Sequence, residues 1–420
     1  MLDINQIREN SGKIIEKLAR RGEDFTPAIE KIKELDSRWR RYLKETEELK
    51  AEKNRVSDKI GELKREGKDA SSVIEKMQKT SSGIKELDEK VKDIKTELDS
   101  RRNYIPNIPD AGISKEDRVV REERKKEDFS SAKALPHWEI GEMLKVIDLP
   151  AAAKLSGSRF PLLLREGAEL ERALITFMLD IHRKNHGYTE IMPPYLVKEE
   201  IMTGTGQMPK FGKEMYNTVK DNLYLIPTAE VPLTNMHKEE ILEKEDLPKK
   251  YMAYTPCFRR EAGSYGKDTG GLIRNHQFNK IELVNIVMPE ESEKFHRQLL
   301  LESEEVLKRL GLTYRVLELG THELGFSAAK TYDLEVWMPG EKKWREVSSC
   351  SNCRDFQARR MASRYRKEDG STEYVHTLNS SGVAVGRIFA AVLENFQTDE
   401  INVIIPKALR KYIKRKKLIT

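Results

Sequence analysis

Apolar positions in the first hundred residues recur at alternating steps of four and three. One series runs Leu35, Trp39, Tyr42, Thr46, Leu49, Lys53, Val56, Ile60 and Leu63; a second runs Val73, Met77, Thr80, Ile84, Leu87, Val91, Ile94 and Leu98. A 3.5-residue repeat keeps one stripe of a helix facing a partner, so both series read as the a/d seam of a coiled coil. Between them KREGKDASS, with Gly67 and an Asp/Ser cap, reads as one short turn. The two helices must then fold back antiparallel, projecting about 40 Å at 1.5 Å per residue.

The pattern changes near residue 105. The stretch 103–136 is punctuated by prolines and carries a charged run, the texture of a linker. Beyond it, GAELERALITFMLDIHRKNHGY has the period of an amphipathic helix, and EIMPPYLV reads as an extended segment broken by a double proline. Strand-like runs follow in YMAYTPCFRRE, LIRNHQFNKIELVNIVM and TYDLEVWM, then a last amphipathic helix, GRIFAAVLENF, and a basic tail from Lys407 to Lys417. Strands joined by loops without βαβ spacing predict an α+β fold, an antiparallel sheet flanked by helices. The domain organisation expected is 1–104 (helical hairpin), 105–136 (linker) and 137–420 (sheet domain).

Length and composition narrow the class. A chain of 420 residues has room for two or three domains. No apolar run approaches the ~18 residues of a membrane helix, and MLDINQIREN lacks the apolar region of a secretory signal. Three cysteines cannot build a disulfide framework. The expectation is a soluble, cytoplasmic chain with no membrane partner. A net charge of +6 permits a polyanionic partner without requiring one. Residues 27–104 hold 21 Lys/Arg against 18 Asp/Glu. That balance suits a solvated ion-paired face as well as an arm that reaches a distant partner.

Candidate chemistry concentrates between residues 251 and 287. Side chains alternate along a strand, so Arg259 and Glu261 would share one face, as would Arg274, His276, Phe278 and Glu282. A glycine-rich loop, AGSYGKDTGG, joins the two runs. Arginine forks grip phosphate or carboxylate, a ring stacks on a flat base, and a glutamate accepts from an amine or hydroxyl. Together these are the parts of a nucleotide and amino-acid site, and equally of an exposed sheet face laced with salt bridges. In LIPTAEVPLT, Thr228 and Glu230 stand at i and i+2, able to project into one cleft. In WREVSSCSNC, Glu346 and Ser349 offer oxygen ligands of the type Mg²⁺ prefers, and could act together only across a bulge or strand end. Thr377, Asn379, Ser380 and Ser381 precede a glycine-spaced turn, after which Arg387 opens an apolar helix. A cation there is unfavourable for the helix dipole unless an anion binds or the side chain snorkels away. Cys350 and Cys353 have CxxC spacing but no matching second pair, so no zinc site is expected. GTGQMPKFGKE departs from a Walker A loop in spacing and in its final residue.

These segments carry a resemblance. TPCFRREAGSYGKDTGGLIRNHQFNKIELV resembles motif 2 of seryl-tRNA synthetases, GYTEIMPPYLV the motif 1 segment of class II synthetases, and LNSSGVAVGRIFAAVLENF their motif 3. TAEVPLT and EVSSCSNCRDFQARR resemble further signatures of the seryl branch, and the helical hairpin completes the likeness over nearly the whole chain. The resemblance implies an N-terminal antiparallel coiled-coil hairpin that holds tRNA(Ser), followed by a class II synthetase catalytic domain with a six- or seven-stranded antiparallel sheet. It also implies a homodimer with motif 1 at the interface. The activity implied is ATP-dependent attachment of L-serine to tRNA(Ser) through a seryl-adenylate, and to tRNA(Sec) where that tRNA is present.

By resemblance, Arg259 would hold the ATP α-phosphate and the serine carboxylate, Arg274 and Arg387 the distal phosphates, and Phe278 the adenine ring. Glu261 would accept from the adenine amine, and Glu346 and Ser349 would ligate Mg²⁺. Arg260, Asn275, Val347 and Ser348 belong by likeness to the same ATP-binding set, although alternation turns Arg260 away from the nucleotide. Glu282 and Thr377 would meet the serine hydroxyl, and Thr228, Ala229 and Glu230 the ammonium, with Asn379 and Ser381 lining the pocket. Arg260 and Gly270 depart from the commonest family residues, and Arg315 has no assigned role. Two rivals share much of this pattern. A non-catalytic tRNA-binding paralogue would lack a motif arginine or glutamate, all of which stand here. A relative that loads a carrier protein would lack the long arm.

Overall fold

A computed structural model of the chain describes residues 1–123, 134–262 and 270–418. These divide into two units: Leu2–Ala19 with Glu23–Pro106, and Met1 and Arg20–Gly22 with Asn107 onward. Among the described residues no helix is long and apolar enough to cross a membrane.

The first unit is helical. It comprises α1 (Ile4–Ala19), α2 (Thr26–Arg65) and α3 (Ser71–Arg102). Asp24 accepts from the Thr26 amide (2.9 Å) ahead of α2, and Pro27 fits its first turn, where a missing N–H costs nothing. Gly67 supplies the positive φ (+67°) that lets the Lys68 amide reach back to the Leu63 carbonyl (2.9 Å) and end α2. Asp69 then accepts from the Ser71 amide and hydroxyl (2.9 and 2.6 Å) to start α3. Every position of both seams is buried or half-buried. Lys50–Asp88 and Glu52–Lys76, both 2.8 Å, pair the helices across the seam's margin. The helix α1 buries Ile7, Ile14 and Leu18, and Arg8 forks onto the Asp36 carboxylate of α2 (2.9 and 2.9 Å). Burial opposes ionisation of Asp36, but Arg8 and Arg40 outweigh it and hold this carboxyl below its usual range.

The second unit is built on one eight-stranded sheet. Its strands are β1 (Arg118–Glu123), β2 (Thr189–Glu190), β3 (Lys249–Phe258), β4 (Gln277–Val287), β5 (Tyr314–Glu318), β6 (Lys330–Met338), β7 (Lys343–Asn352) and β8 (His376–Ala384). The order is β1-β5-β6-β7-β8-β4-β3-β2, antiparallel throughout except for the parallel edge pair β2/β3. Six helices matter to the site: α4 (His137–Met143), α5 (Arg165–His186), α6 (Glu230–Thr234), α7 (Ser292–Leu310), α8 (Phe356–Met361) and α9 (Val385–Asn395). One continuous core joins the sheet to α5, α7 and α9 through Leu174, Phe177, Leu307, Phe389, Val392, Ile281 and Leu378. The glycine after α5, Gly187 (φ +72°), turns the chain into the short β2.

The stretch 105–136, read from sequence as a linker, contributes the edge strand β1, which pairs with β5 from Arg118↔Glu318 to Glu123↔Tyr314. All six of its residues are exposed. With neither face buried it has no apolar alternation to announce it; the backbone ladder holds it, with Arg118–Glu318 (2.8 Å) and Arg121–Glu304 ion pairs. The expected six or seven antiparallel strands are eight, one of them parallel.

Candidate active site

Strands β3, β4, β8 and β7 form the floor of one cleft. Register decides which side chains meet there: Cys257 pairs with Phe278, Ala253 with Glu282, and Glu282 with Ser381. Arg259 and Glu261 follow the end of β3 rather than riding on it, and Arg274 and His276 precede β4, which begins only at Gln277. The Arg259 amide donates to the His276 carbonyl (2.9 Å), and a His276 ring nitrogen sits 3.0 Å from the Arg259 carbonyl, so the two chain ends stay joined beyond the ladder.

The cleft is lined by three arginines. The Arg259 guanidinium lies 5.3 Å from the centre of the Phe278 ring and donates to the Pro227 carbonyl (3.3 Å). Arg274 pairs with Glu261 (3.3 Å), and Glu261 is held at φ +48°, an uncommon setting for a side-chain-bearing residue. Arg387, in the first turn of α9, donates to the Ile273 carbonyl (3.1 Å) and the Glu346 carbonyl (2.7 Å), and pairs with the Glu346 carboxylate (3.4 Å). Its approach follows from a register shift in β8 between Ser381 and Ala384, where the buried β-branched Val383 stands at φ +103°. Strain of this kind persists only where packing over-determines it. Asn275 and Val347 also line the cleft.

Joined to the cleft through Lys280 is a buried polar cluster. Thr228 donates its hydroxyl proton to Glu282 (2.7 Å) and accepts from Lys280 (2.9 Å) and from the Glu230 amide (3.1 Å). Lys280 also pairs with Glu282 (2.5 Å). The Glu230 carboxylate, at the start of α6, accepts from Gln357 (2.7 Å) and Asn379 (3.0 Å). Withdrawal from water, with the Glu282 charge nearby, pushes the Glu230 carboxyl up to about 7, although Gln357, Lys280 and Arg259 oppose the shift. Thr377 donates to Gln357 (2.6 Å). Glu282, Thr377 and Gln357 are almost wholly buried.

Glu346 and Ser349 can act together only across a bulge, and β7 has one. Its register against β6 shifts between Glu346 and Ser348, so that Glu346↔Glu335 is followed by Ser348↔Leu334 and Ser349↔Asp333. Val347 and Ser348 are consecutively buried, and Glu346 and Ser349 are the open positions on either side. Asp333, opposite Ser349, is raised well above the usual carboxylate range by burial and by the Glu346 charge, and its Oδ1 has no hydrogen-bond partner among the described residues. Facing carboxylates with an orphaned oxygen and a hydroxyl form an all-oxygen donor set, and a divalent cation such as Mg²⁺ fits it.

Other expected site residues lie elsewhere. Arg260 is exposed and does not line the cleft, as its alternation implied. The Ala229 methyl is buried in apolar packing with Leu233 and Val284. Ser348 turns inward, its hydroxyl donating to the Ser381 carbonyl (2.5 Å). Arg315 pairs with Glu335 (2.5 Å) and lies over Trp344 (4.8 Å), a structural role. The central residues of the motif 2 loop, 263–269, lie outside the described residues.

Three residues were missed from sequence. Lys280 lies between Phe278 and Glu282 on the same strand face, so alternation could have found it. Gln357 had no such signal. Nor had His137, a buried side chain whose Nδ1 lies 2.8 Å from Glu394 and whose Nε2 accepts from the Leu272 amide (3.0 Å), two residues before Arg274.

Family models match over two segments: residues 1–109 as a seryl-tRNA synthetase N-terminal domain, and residues 213–396 as the class II tRNA synthetase core domain of the G, H, P, S and T enzymes. The chain is 49% identical to a serine–tRNA ligase of Syntrophotalea carbinolica over 98% of both chains, and 50% identical to one of Geobacillus kaustophilus over the full length of both. Among solved structures, a seryl-tRNA synthetase of Pyrococcus horikoshii complexed with ATP superposes with a TM-score of 0.91, at 38% identity, over 100% of this chain and 99% of that one. Likeness of this depth, end to end and in both units, means that the chain belongs to the seryl-tRNA synthetase family of class II aminoacyl-tRNA synthetases.

Proposed function

We propose that the chain attaches L-serine to tRNA(Ser) in two steps, forming seryl-adenylate from serine and ATP and then passing the seryl group to the terminal ribose of the tRNA. Relatives at half identity are named serine–tRNA ligases, and the Pyrococcus relative was solved with ATP. The observation that carries the reading is the adjacency of an arginine-lined cleft to a buried pocket of carboxylates and hydroxyls.

In this reading Arg259 bridges the α-phosphate and the serine carboxylate, lining up attack while its charge offsets the charge that develops at phosphorus. Phe278 stacks with adenine, Glu261 accepts from its amine, and Arg274 and Arg387 hold the departing phosphates. Both arginines are engaged with carboxylates or carbonyls, contacts that can exchange for phosphate oxygens. Glu346 and Ser349 would hold Mg²⁺, faced by Asp333; when bound it neutralises phosphate charge. Glu230 and Glu282 receive the ammonium and hydroxyl of serine. Alanine would leave a buried acceptor unpaired, a penalty of about 1–3 kcal/mol or more.

The coiled-coil hairpin is read as the tRNA-binding arm. Near charge balance fits an element that reads RNA shape and backbone through a few placed cations. A homodimer through motif 1 is supported by the open edge strand β2 and by Met192 beside it, 88% exposed. The deciding experiment is ATP–pyrophosphate exchange without tRNA, across all twenty amino acids. Exchange with serine alone is expected; silence with every amino acid would make the non-catalytic paralogue the better reading.

A further inference from the structure

The Gln357 side chain is fully buried, yet its amide is saturated by three groups from separate elements. Its Nε2 donates to the Thr205 carbonyl (3.1 Å) and to the Glu230 carboxylate (2.7 Å), and its Oε1 accepts from the Thr377 hydroxyl (2.6 Å). The amide has only one possible orientation. Flipped, it would set an oxygen against the Thr205 carbonyl, which can never donate, and against Glu230, which cannot donate in its charged form.

That orientation commits the single proton of Thr377 to Gln357, so Thr377 has only lone pairs left to offer the pocket. Thr228 is committed as well, its proton to Glu282 and its lone pairs to Lys280 and the Glu230 amide. Asn379 gives its Nδ2 to Glu230. Apart from the cations Lys280 and Arg259, which are engaged with Thr228, Glu282 and the Pro227 carbonyl, what remains accepts: the Glu230 and Glu282 carboxylates and the Thr377 oxygen. Serine brings four donors, three on its ammonium and one on its hydroxyl.

We infer that Gln357 sets the hydrogen-bond polarity of the amino-acid pocket and is a positioning residue for serine selection, acting through Thr377 and Glu230. This rests on the serine reading above. With Gln357 replaced, Thr377 can rotate its proton toward the pocket and oppose the serine hydroxyl, and Glu230 loses a donor that stabilises its charged form. The groups facing Glu230 are Glu282 and Lys280 on β4, Arg259 after β3, Asn379 on β8, the Cys353 thiol, and Gln357 itself on α8. With Gln357 absent, the remaining donors and cations still compete with burial and with Glu282, and Glu230 takes up its proton at higher pH.

The test is serine-dependent ATP–pyrophosphate exchange by the full chain, unsubstituted and as Gln357→Met and Gln357→Glu, with KM for serine and for ATP measured from pH 5.5 to 9. Gln357→Met should raise the serine KM about 10- to 100-fold, the value of a hydrogen bond to a charged group, and leave the ATP KM within about twofold. The acid limb of kcat/KM for serine should move up by about half a pH unit or more. Gln357→Glu keeps the shape and the acceptor for Thr377 but sets a second negative charge beside Glu230, so its limb should move further. The preference for serine over alanine should fall in Gln357→Met, where Thr377 loses its acceptor, and hold in Gln357→Glu, which keeps it. An unmoved serine KM and limb would overturn the inference. So would equal losses toward ATP and serine in both variants, the mark of a merely structural role. Should Gln357→Met lose ATP saturation, the isosteric Gln357→Glu decides alone. Failure of the unsubstituted chain to exchange with serine would instead sink the proposed function.

Discussion

In the proposed reaction Arg259 acts by shape as much as by charge. The guanidinium is braced by the Phe278 ring and the Pro227 carbonyl, so its fork is pre-aimed before any anion arrives. Arg259→Ala should lower serine-dependent exchange by at least about a hundredfold, the scale of losing one charge-stabilising donor. Arg259→Lys should recover little, since an ammonium cannot engage two oxygens in one plane. Glu230 gives a second residue-scale outcome. Its carboxyl is raised to about 7, and only the charged form attracts an ammonium. Serine kcat/KM should therefore fall as pH drops through about 7, while the ATP KM stays flat. Glu230→Gln should remove that limb, and a limb that survives the substitution would assign it elsewhere.

At the scale of the element, the arm separates core from surface. Ile84 is buried in the seam, whereas Lys50 and Asp88 are about half exposed. Ile84→Ala should cost about 2–4 kcal/mol of arm stability, and Asp88→Ala no more than about 1 kcal/mol, since exposed pairs are screened; thermal melting of the two variants orders them. Deleting residues 30–100 should spare amino-acid activation and cripple charging of tRNA(Ser), measured by exchange and by aminoacylation. Undiminished charging would remove the arm from the mechanism. The bulge in β7 shows the same principle inside the sheet. One extra residue between Glu346 and Ser348 leaves Glu346 and Ser349 as the open positions on either side of it, which no regular strand could do.

The molecule as a whole carries buried histidines that resist charging. Burial lowers His182 to about 3 and His296 and His376 to about 4. In the unfolded chain they would protonate near pH 6.5. Below that pH each ring binds a proton in the unfolded state but not in the native one, so its contribution to stability is lost as pH falls from about 6.5 toward 4, while the raised Glu230 and Asp333 carboxyls act in the opposite sense. Between pH 7 and 5 the melting temperature of His296→Gln should therefore fall less, or rise more, than that of the unsubstituted chain. Identical profiles in the two would contradict the burial of that ring.

Local pattern determined much of this protein. The four-three step of the seams placed two helices whose boundaries the caps at Asp24, Gly67 and Asp69 then set. Thr228 and Glu230 were read only as neighbours at i and i+2, and the Thr228 hydroxyl accepts from the amide two residues on. Alternation even showed that Glu346 and Ser349 needed a bulge. These readings succeed because periodicity and capping are decided by covalent neighbours. Tertiary structure alone decided the rest. The strand β1 is exposed on both faces and exists only because β5 offers it a ladder. Gln357 stands 127 residues from Glu230 and 20 from Thr377, and nothing in a sequence says that those two side chains will share its amide. Arg259 and Glu261 leave the strand they were expected to ride, and their convergence with Arg274 comes from backbone bonds beyond the ladder. The residue types in the cleft were written locally. Their hydrogen-bond polarity was not, because the protons of Thr228, Thr377 and Gln357 go to partners that only the fold brings within reach.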